Sequence, residues 1–415
     1  MTEPHGSDPA APSPGGVWSE LIGQDSAVTR LHAAARAARA VLAGRTGAAV
    51  AAMTHAWLFT GPPGSGRSTA ARAFAAALQC EDEHTPGCGQ CQACHTAFAG
   101  THADVTLIAT DQLTIGVDQT RGLVLGSAMS PSRGRWQVIV VEDADRLTEG
   151  AANVLLKAIE EPAPRTVWML CAPSSQDMLP TILSRCRHLT LRTPSADAIA
   201  DALSARENVG RDQAYAAAQA AQGHIGRARA LLLDESAAAG RTEALKLPAE
   251  VADIGRALKA AQSLVDAAAA EAKAVSEALD AKETEELKVA LGYGQGKGSG
   301  SARGVSGSAG ILKDLETKQK RRATRTQRDA LDRALVDIAA FYRDVLALQF
   351  DPGGATAIQP VHADRASHAR ALAGASTPEA TLRRIEAVLE ARRAIAANVA
   401  PLLAVESMAL ALRAA

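Results

Sequence analysis

The sequence predicts an α/β domain built on a parallel, doubly wound sheet, followed by helical domains. Three observations predict it. From about Trp18 to Thr193, short apolar runs alternate with amphipathic helical stretches, and strands separated by helices pair in parallel. The first such run leads into a glycine-rich turn and then a helix, the setting of a phosphate-binding loop. From about Ser195 strand signals stop and Ala-Leu-rich helical periodicity takes over. Aromatic residues make up only 3% of the 415 residues, which favours helix packing over a sandwich or barrel.

Met1–Gly16 is polar and rich in Pro and Gly; it reads as a disordered tail rather than a signal peptide. Trp57–Thr60 is the first strand, and Ser68–Leu78 the helix after its loop. Val105–Ile108, Trp136–Val141 and Val167–Cys171 are further strands, and Leu147–Ile159 has the apolar spacing of a core-facing helix. Val251–Ala290 is a long helical segment. Gly292–Gly310 is almost entirely small residues and reads as a flexible insertion. Lys313–Arg328 is a basic helical stretch, a solvated face more readily than a contact for DNA phosphates. Ala330–Gln349, Pro378–Ala397 and Val399–Ala414 complete a helical bundle. The expected domains are a tail over 1–16, the α/β domain over 17–194, a small helical domain over 195–245 and an all-helical domain over 246–415.

Net charge is -1, so no whole-molecule basic field draws the chain to nucleic acid. No apolar run reaches the roughly 20 residues of a spanning helix. The six cysteines cluster rather than scatter, which fits a reducing compartment. The expected location is the cytoplasm, with no membrane partner.

Gly61-Pro-Pro-Gly64-Ser-Gly66-Arg67-Ser68 has the glycine spacing of a Walker A loop, whose successive N–H groups cradle phosphates. Arg67 stands where lysine is usual, and its planar fork is no simple replacement for a compact ammonium. Ser68 is available to Mg²⁺. The loop is therefore either a weakened ATP/Mg²⁺ site or a vestige kept for helix packing. Val138–Asp145 ends an apolar run in the position of a Walker B strand, with Glu142 before Asp143 where Asp before Glu is usual. That order moves each carboxylate by about one methylene, in a reaction where positioning supplies most of the rate. Asp143 and Asp145 are also placed to cap a helix starting near Arg146.

Cys80, Cys88, Cys91 and Cys94 put four thiolates within fifteen positions, with Gly87 and Gly89 allowing tight turns. Four sulfurs suit tetrahedral Zn²⁺ in a closed, structural site. Spacing and context favour neither an iron–sulfur cluster nor a redox pair. Cys171 and Cys186 lie elsewhere and read as buried small hydrophobes.

Together these features resemble the bacterial clamp-loader subunits of DNA polymerase III, a branch of the AAA+ superfamily. The four-cysteine module after the Walker A helix, Leu155-Leu-Lys-Ala-Ile-Glu-Glu-Pro162, the Ser184-Arg185-Cys186 signature within Thr181–Cys186, and Leu21-Ile-Gly-Gln24, a segment that packs near adenine in the family, carry the resemblance over about Trp18–Thr193. The resemblance implies that Arg185 is a trans arginine finger reaching the γ-phosphate held by a neighbouring gamma/tau subunit, and that 246–415 is an oligomerisation domain. Arg67, the Glu142-Asp143 order, Ala172 at the sensor position and Gly226 where the second sensor arginine is usual point away from the motor subunit gamma/tau. The retained Ser-Arg-Cys signature and cysteine module point away from delta, so the delta-prime type is implied. Its implied partners are gamma/tau and delta in a five-membered ring, the sliding clamp, and primer-template DNA through the complex. The alternatives are a gamma/tau-like ATPase with its own hydrolytic activity, and a nucleic-acid-binding module using the cysteine unit and basic stretch.

Overall fold

The computed structural model describes residues 15–109, 114–290, 308–351 and 360–414. The tail expected over 1–16 lies outside them except for its last two residues, and Gly16 already opens a short 3-10 helix, Gly16–Glu20. Most of the insertion expected over 292–310 also lies outside. The chain divides into two compact units, residues 1–218 with 223–227, and 219–222 with 228–415. The small helical domain expected over 195–245 falls across this division.

In the first unit the strands are β1 (Ala56–Thr60), β2 (Val105–Ile108), β3 (Gln137–Val141), β4 (Thr166–Ala172) and β5 (Arg187–Thr190). They form one parallel sheet in the order β2-β3-β4-β1-β5. α1 (Asp25–Leu42) precedes β1, and the helices between the strands are α2 (Arg67–Gln79), α3 (Gln92–Ala99), α4 (Val117–Ser127), α5 (Glu149–Glu160) and α6 (Pro180–Leu183). α7 (Ala196–Glu207) follows β5, and α8 (Arg211–Ala220) and α9 (Ile225–Leu233) run through the division between units.

The period-2 alternation of a strand sorts the core into two layers. Trp57, Phe59, Val138, Val140, Met169 and Cys171 pack with Phe74 of α2 and Leu31 of α1. Leu58, Ile139, Val141, Trp168 and Leu170 pack on the other face with Leu155 and Ile159 of α5. Both faces are covered, which is why the central strands read as continuous apolar runs.

β5 is absent from the four strands read in the sequence. In Arg187-His-Leu-Thr190 only Leu189 is buried, so this edge strand shows no apolar run. The capping role read for Asp143 and Asp145 is corrected: Asp143 precedes a 3-10 turn, Ala144–Arg146, without a side-chain cap. Thr148 caps α5, its Oγ1 accepting from Ala151 N–H at 3.2 Å.

The second unit contains α10 (Glu235–Ala244), α11 (Leu247–Glu250), α12 (Ile254–Ala290), α13 (Ser308–Phe350), α14 (Ala366–Ala375), α15 (Pro378–Ala396) and α16 (Pro401–Ala414). The basic stretch and the Ala330–Gln349 helix are one continuous α13. Arg322 meets Asp280 and Glu283, and Arg333 meets Glu271, so α12 and α13 run antiparallel. Leu331, Leu335, Ile338, Phe341, Tyr342 and Val345 of α13 form the core with Leu264 of α12, Val388 of α15 and Met408 of α16.

Candidate functional site

In a parallel sheet the loops after the strands gather at one edge, where α/β folds bind ligands. Here that edge carries Gly61–Ser68 after β1, Glu142 and Asp143 after β3, and Pro173 after β4. The Gly61 N–H donates to the Pro173 carbonyl at 3.2 Å. Gly61, Gly64 and Gly66 all have positive φ. A Cβ on Gly61 would come within 2.6 Å of the Leu191 carbonyl oxygen and Ser65 Oγ, and one on Gly64 within 2.6 Å of the Cα and Cβ of His224. No side chain fits at either place. Gln24 locks the loop from outside: its Nε2 donates to the Ser65 and Arg192 carbonyls at 3.1 and 2.5 Å, and its Oε1 accepts from Arg192 N–H at 3.2 Å.

The charged groups at this edge already have partners within the chain. Arg67 Nη1 donates to the Gly61 carbonyl at 2.6 Å, folding back across its own loop. Glu142, nearly buried, pairs with Arg72 Nε of α2 at 2.7 Å. Burial, reinforced by the neighbouring Asp143 carboxylate, raises the Asp145 carboxyl above its usual range. Ser68 is half-buried at the start of α2. Cys171 is fully buried and its thiol is pushed upward by burial, so it is an inert core residue. Ala172, at the expected sensor position, is buried at the end of β4. Arg72 and His224 were not singled out as part of this site from sequence. Arg72 lies on the helix that the loop opens, and that was the available signal.

The four cysteine sulfurs converge, all within 4.8 Å of one another, with Cys80 and Cys94 buried and Cys88 and Cys91 half-buried. Zinc with Zn–S of about 2.3 Å needs sulfurs about 3.8 Å apart, so the set can close on an ion with small side-chain shifts. The N–H groups of Cys88, Cys91 and Cys94 point at Cys80, Cys88 and Cys91 sulfurs, at 3.4 to 3.5 Å. A hydrogen bond from Cys94, with N–H groups of the 87–88 turn, holds Cys80 near 4. The module ties three segments together. Cys94 packs against α2, and on the other side Val17 N–H and Trp18 Nε1 donate to the Gly87 and Pro86 carbonyls at 3.0 and 2.7 Å.

Arg185 is exposed, just beyond α6, far in sequence from the glycine-rich loop. Its guanidinium pairs with Glu160, the last residue of α5, at 2.5 Å. Cys186, expected to be buried, is half-buried, and burial of its sulfur raises the thiol to about 12. The structure thus gathers Gly61, Gly64, Gly66, Arg67, Ser68, Glu142 and Asp143 at one edge and the four cysteines at a second locus. Arg185 bonds to neither group, its partners being Glu160, Thr181 and Ser184.

Residues 43–195 match the model of the family described as DNA polymerase III, delta subunit. The DNA polymerase III subunit delta' of Pseudomonas aeruginosa is 38% identical over 147 residues, 35% of this chain and 45% of that protein. Over this span the chain resembles the delta-prime type of clamp-loader subunit. The gamma/tau subunit of Mycobacterium tuberculosis is 31% identical over 177 residues, 42% of this chain and 28% of that protein. The tau subunit of Escherichia coli is 28% identical over 263 residues, 60% of this chain and 38% of that protein. The chain spans less than half the length of these curated relatives. The first unit has a parallel five-stranded sheet between helical layers, with its glycine-rich loop after β1. Among the described residues no helix is long and apolar enough to cross a membrane.

Proposed function

We propose that the chain acts as the delta-prime subunit of a DNA polymerase III clamp loader. In this reading it stands beside gamma/tau and delta in a five-membered cytoplasmic ring and helps load the sliding clamp onto primed DNA. Arg185 supplies the charge that stabilises phosphoryl transfer at a gamma/tau neighbour's ATP, where a trans arginine is worth about 10³–10⁵ in rate. The cysteine cluster holds a structural zinc, and the chain's own loop turns over ATP poorly or not at all.

One contrast carries the reading. Arg185 is exposed at the Ser-Arg-Cys turn and, though paired with Glu160, keeps Nη2 without a partner among the described residues, while the cation and acid of the chain's own site, Arg67 and Glu142, are turned inward onto Gly61 and Arg72. A gamma/tau-like ATPase would need both released before nucleotide could be cradled. Within the basic stretch of α13, Arg322 is spent on Asp280 and Glu283 of α12 and is not available to DNA phosphates. The test is ATP hydrolysis by the complex reconstituted with gamma/tau, delta, clamp and primed DNA. Arg185→Ala is expected to lower turnover by about a thousandfold with the ring still assembled. Turnover by the isolated chain, abolished by Asp143→Asn, would instead establish the ATPase reading.

A further inference from the structure

Beside their apolar packing, Leu155–Pro162 and Thr181–Cys186 are joined by an ion pair between Glu160 and Arg185. Glu160 places Oε1 2.5 Å from Arg185 Nε. Nη1 of the same guanidinium donates to the Thr181 carbonyl at 2.8 Å and to Ser184 Oγ at 3.1 Å. Three acceptors thus hold two of its three nitrogens. Among the described residues Nη2 has no partner.

A free arginine side chain samples many rotamers, and ordering it costs entropy at the moment of use. A planar guanidinium held at two of its nitrogens keeps its remaining N–H donors in a set direction, the geometry that suits phosphate oxygens. We propose that Glu160 is a positioning residue for Arg185. With the Thr181 carbonyl and the Ser184 hydroxyl it preorganises the guanidinium and leaves Nη2 to donate to a phosphoryl oxygen held by a neighbouring subunit. This inference rests on the trans-finger reading. Glu160 touches no reacting atom and acts only through Arg185. Both side chains are half-exposed, and a pair so exposed contributes little to folding. Its loss therefore registers in rate rather than in stability.

The experiment measures kcat and KM for ATP in the reconstituted complex, with ring assembly and melting temperature recorded for each variant. Glu160→Ala is expected to lower kcat by about ten- to a hundredfold, the scale of a misplaced reacting group, with KM and assembly unchanged. Glu160→Gln keeps an acceptor at the same reach and is expected to restore most of the rate. Glu160→Asp keeps the charge, withdraws the acceptor and is expected to stay slow. The double variant with Arg185→Ala should be no slower than Arg185→Ala alone. An impaired Arg185→Ala beside Glu160→Ala and Glu160→Asp at wild-type kcat would overturn the positioning role and leave the finger intact. A faster Glu160→Ala would also overturn it, by making the pair a latch. An Arg185→Ala complex at full rate would remove the finger reading and this inference with it.

Discussion

Asp104 is buried at 2% exposure just before β2, and its carboxylate gathers the loop before β3. It accepts from the N–H and hydroxyl of Ser132 and from the N–H groups of Arg133 and Gly134. Burial pushes its pKa up, but these four donors outweigh burial and hold it at about 2. Because the folded value lies below the unfolded one, the stabilisation is complete above the ordinary aspartate range. It is lost as pH falls through about 2, and amounts to about 2 kcal/mol. Asp104→Asn should lower the melting temperature at neutral pH and flatten its decline in acid, which melting curves across pH will check. Nothing in the sequence near Asp104 announces this role, since its partners lie 28 to 30 positions away. The four cysteines were legible for the opposite reason: they lie in one short stretch and ligand spacing is a local property. Arg67 was legible as a substitution, but its fold-back onto Gly61 was not.

At the scale of elements, the cysteine module is expected to hold the N-terminal 3-10 helix against α2 and α3. Gly87 sits where a Cβ would lie 2.7 Å from Val17 Cγ2 and 2.8 Å from Trp18 Nε1, so turn and helix are fitted to each other. Metal binding to such a site is folding free energy. Cys91→Ser should abolish stoichiometric zinc, lower the melting temperature and shift tryptophan emission to the red as Trp18 becomes wet; retained zinc would count against the four-sulfur site. In the second unit Arg322 is only 16% exposed and answers Asp280 and Glu283 together, which raises its own pKa and lowers that of Glu283. Arg322→Ala should cost about 1–2 kcal/mol in chemical denaturation, since it strands two carboxylates facing one another. The central strands and long helices were readable because a buried strand and an amphipathic helix each impose their own period. β5 was not, because an edge strand with one inward residue imposes almost none.

The molecule as a whole comprises two compact units, each with its own core. Separate cores predict separate transitions. Calorimetry of the full chain with and without a strong chelator should show one transition move down by several degrees while the other stays. A single transition shifting as a whole would mean that the units unfold together. The cysteines and the sheet belong to the first unit, so its transition is the one expected to move.

The sequence by itself determined the α/β class, the helical remainder, the position of the glycine-rich loop and the four-sulfur cluster. These rest on periodicity and spacing along neighbouring residues. Only the tertiary structure decided what the charged groups do. Arg72 reaches Glu142 across 70 positions, Gln24 reaches Arg192 across 168, and Glu160 reaches Arg185 across 25. Such pairs depend on strand order and on which helix covers which face. No local pattern encodes that, because the chain must close each loop before the two partners can meet.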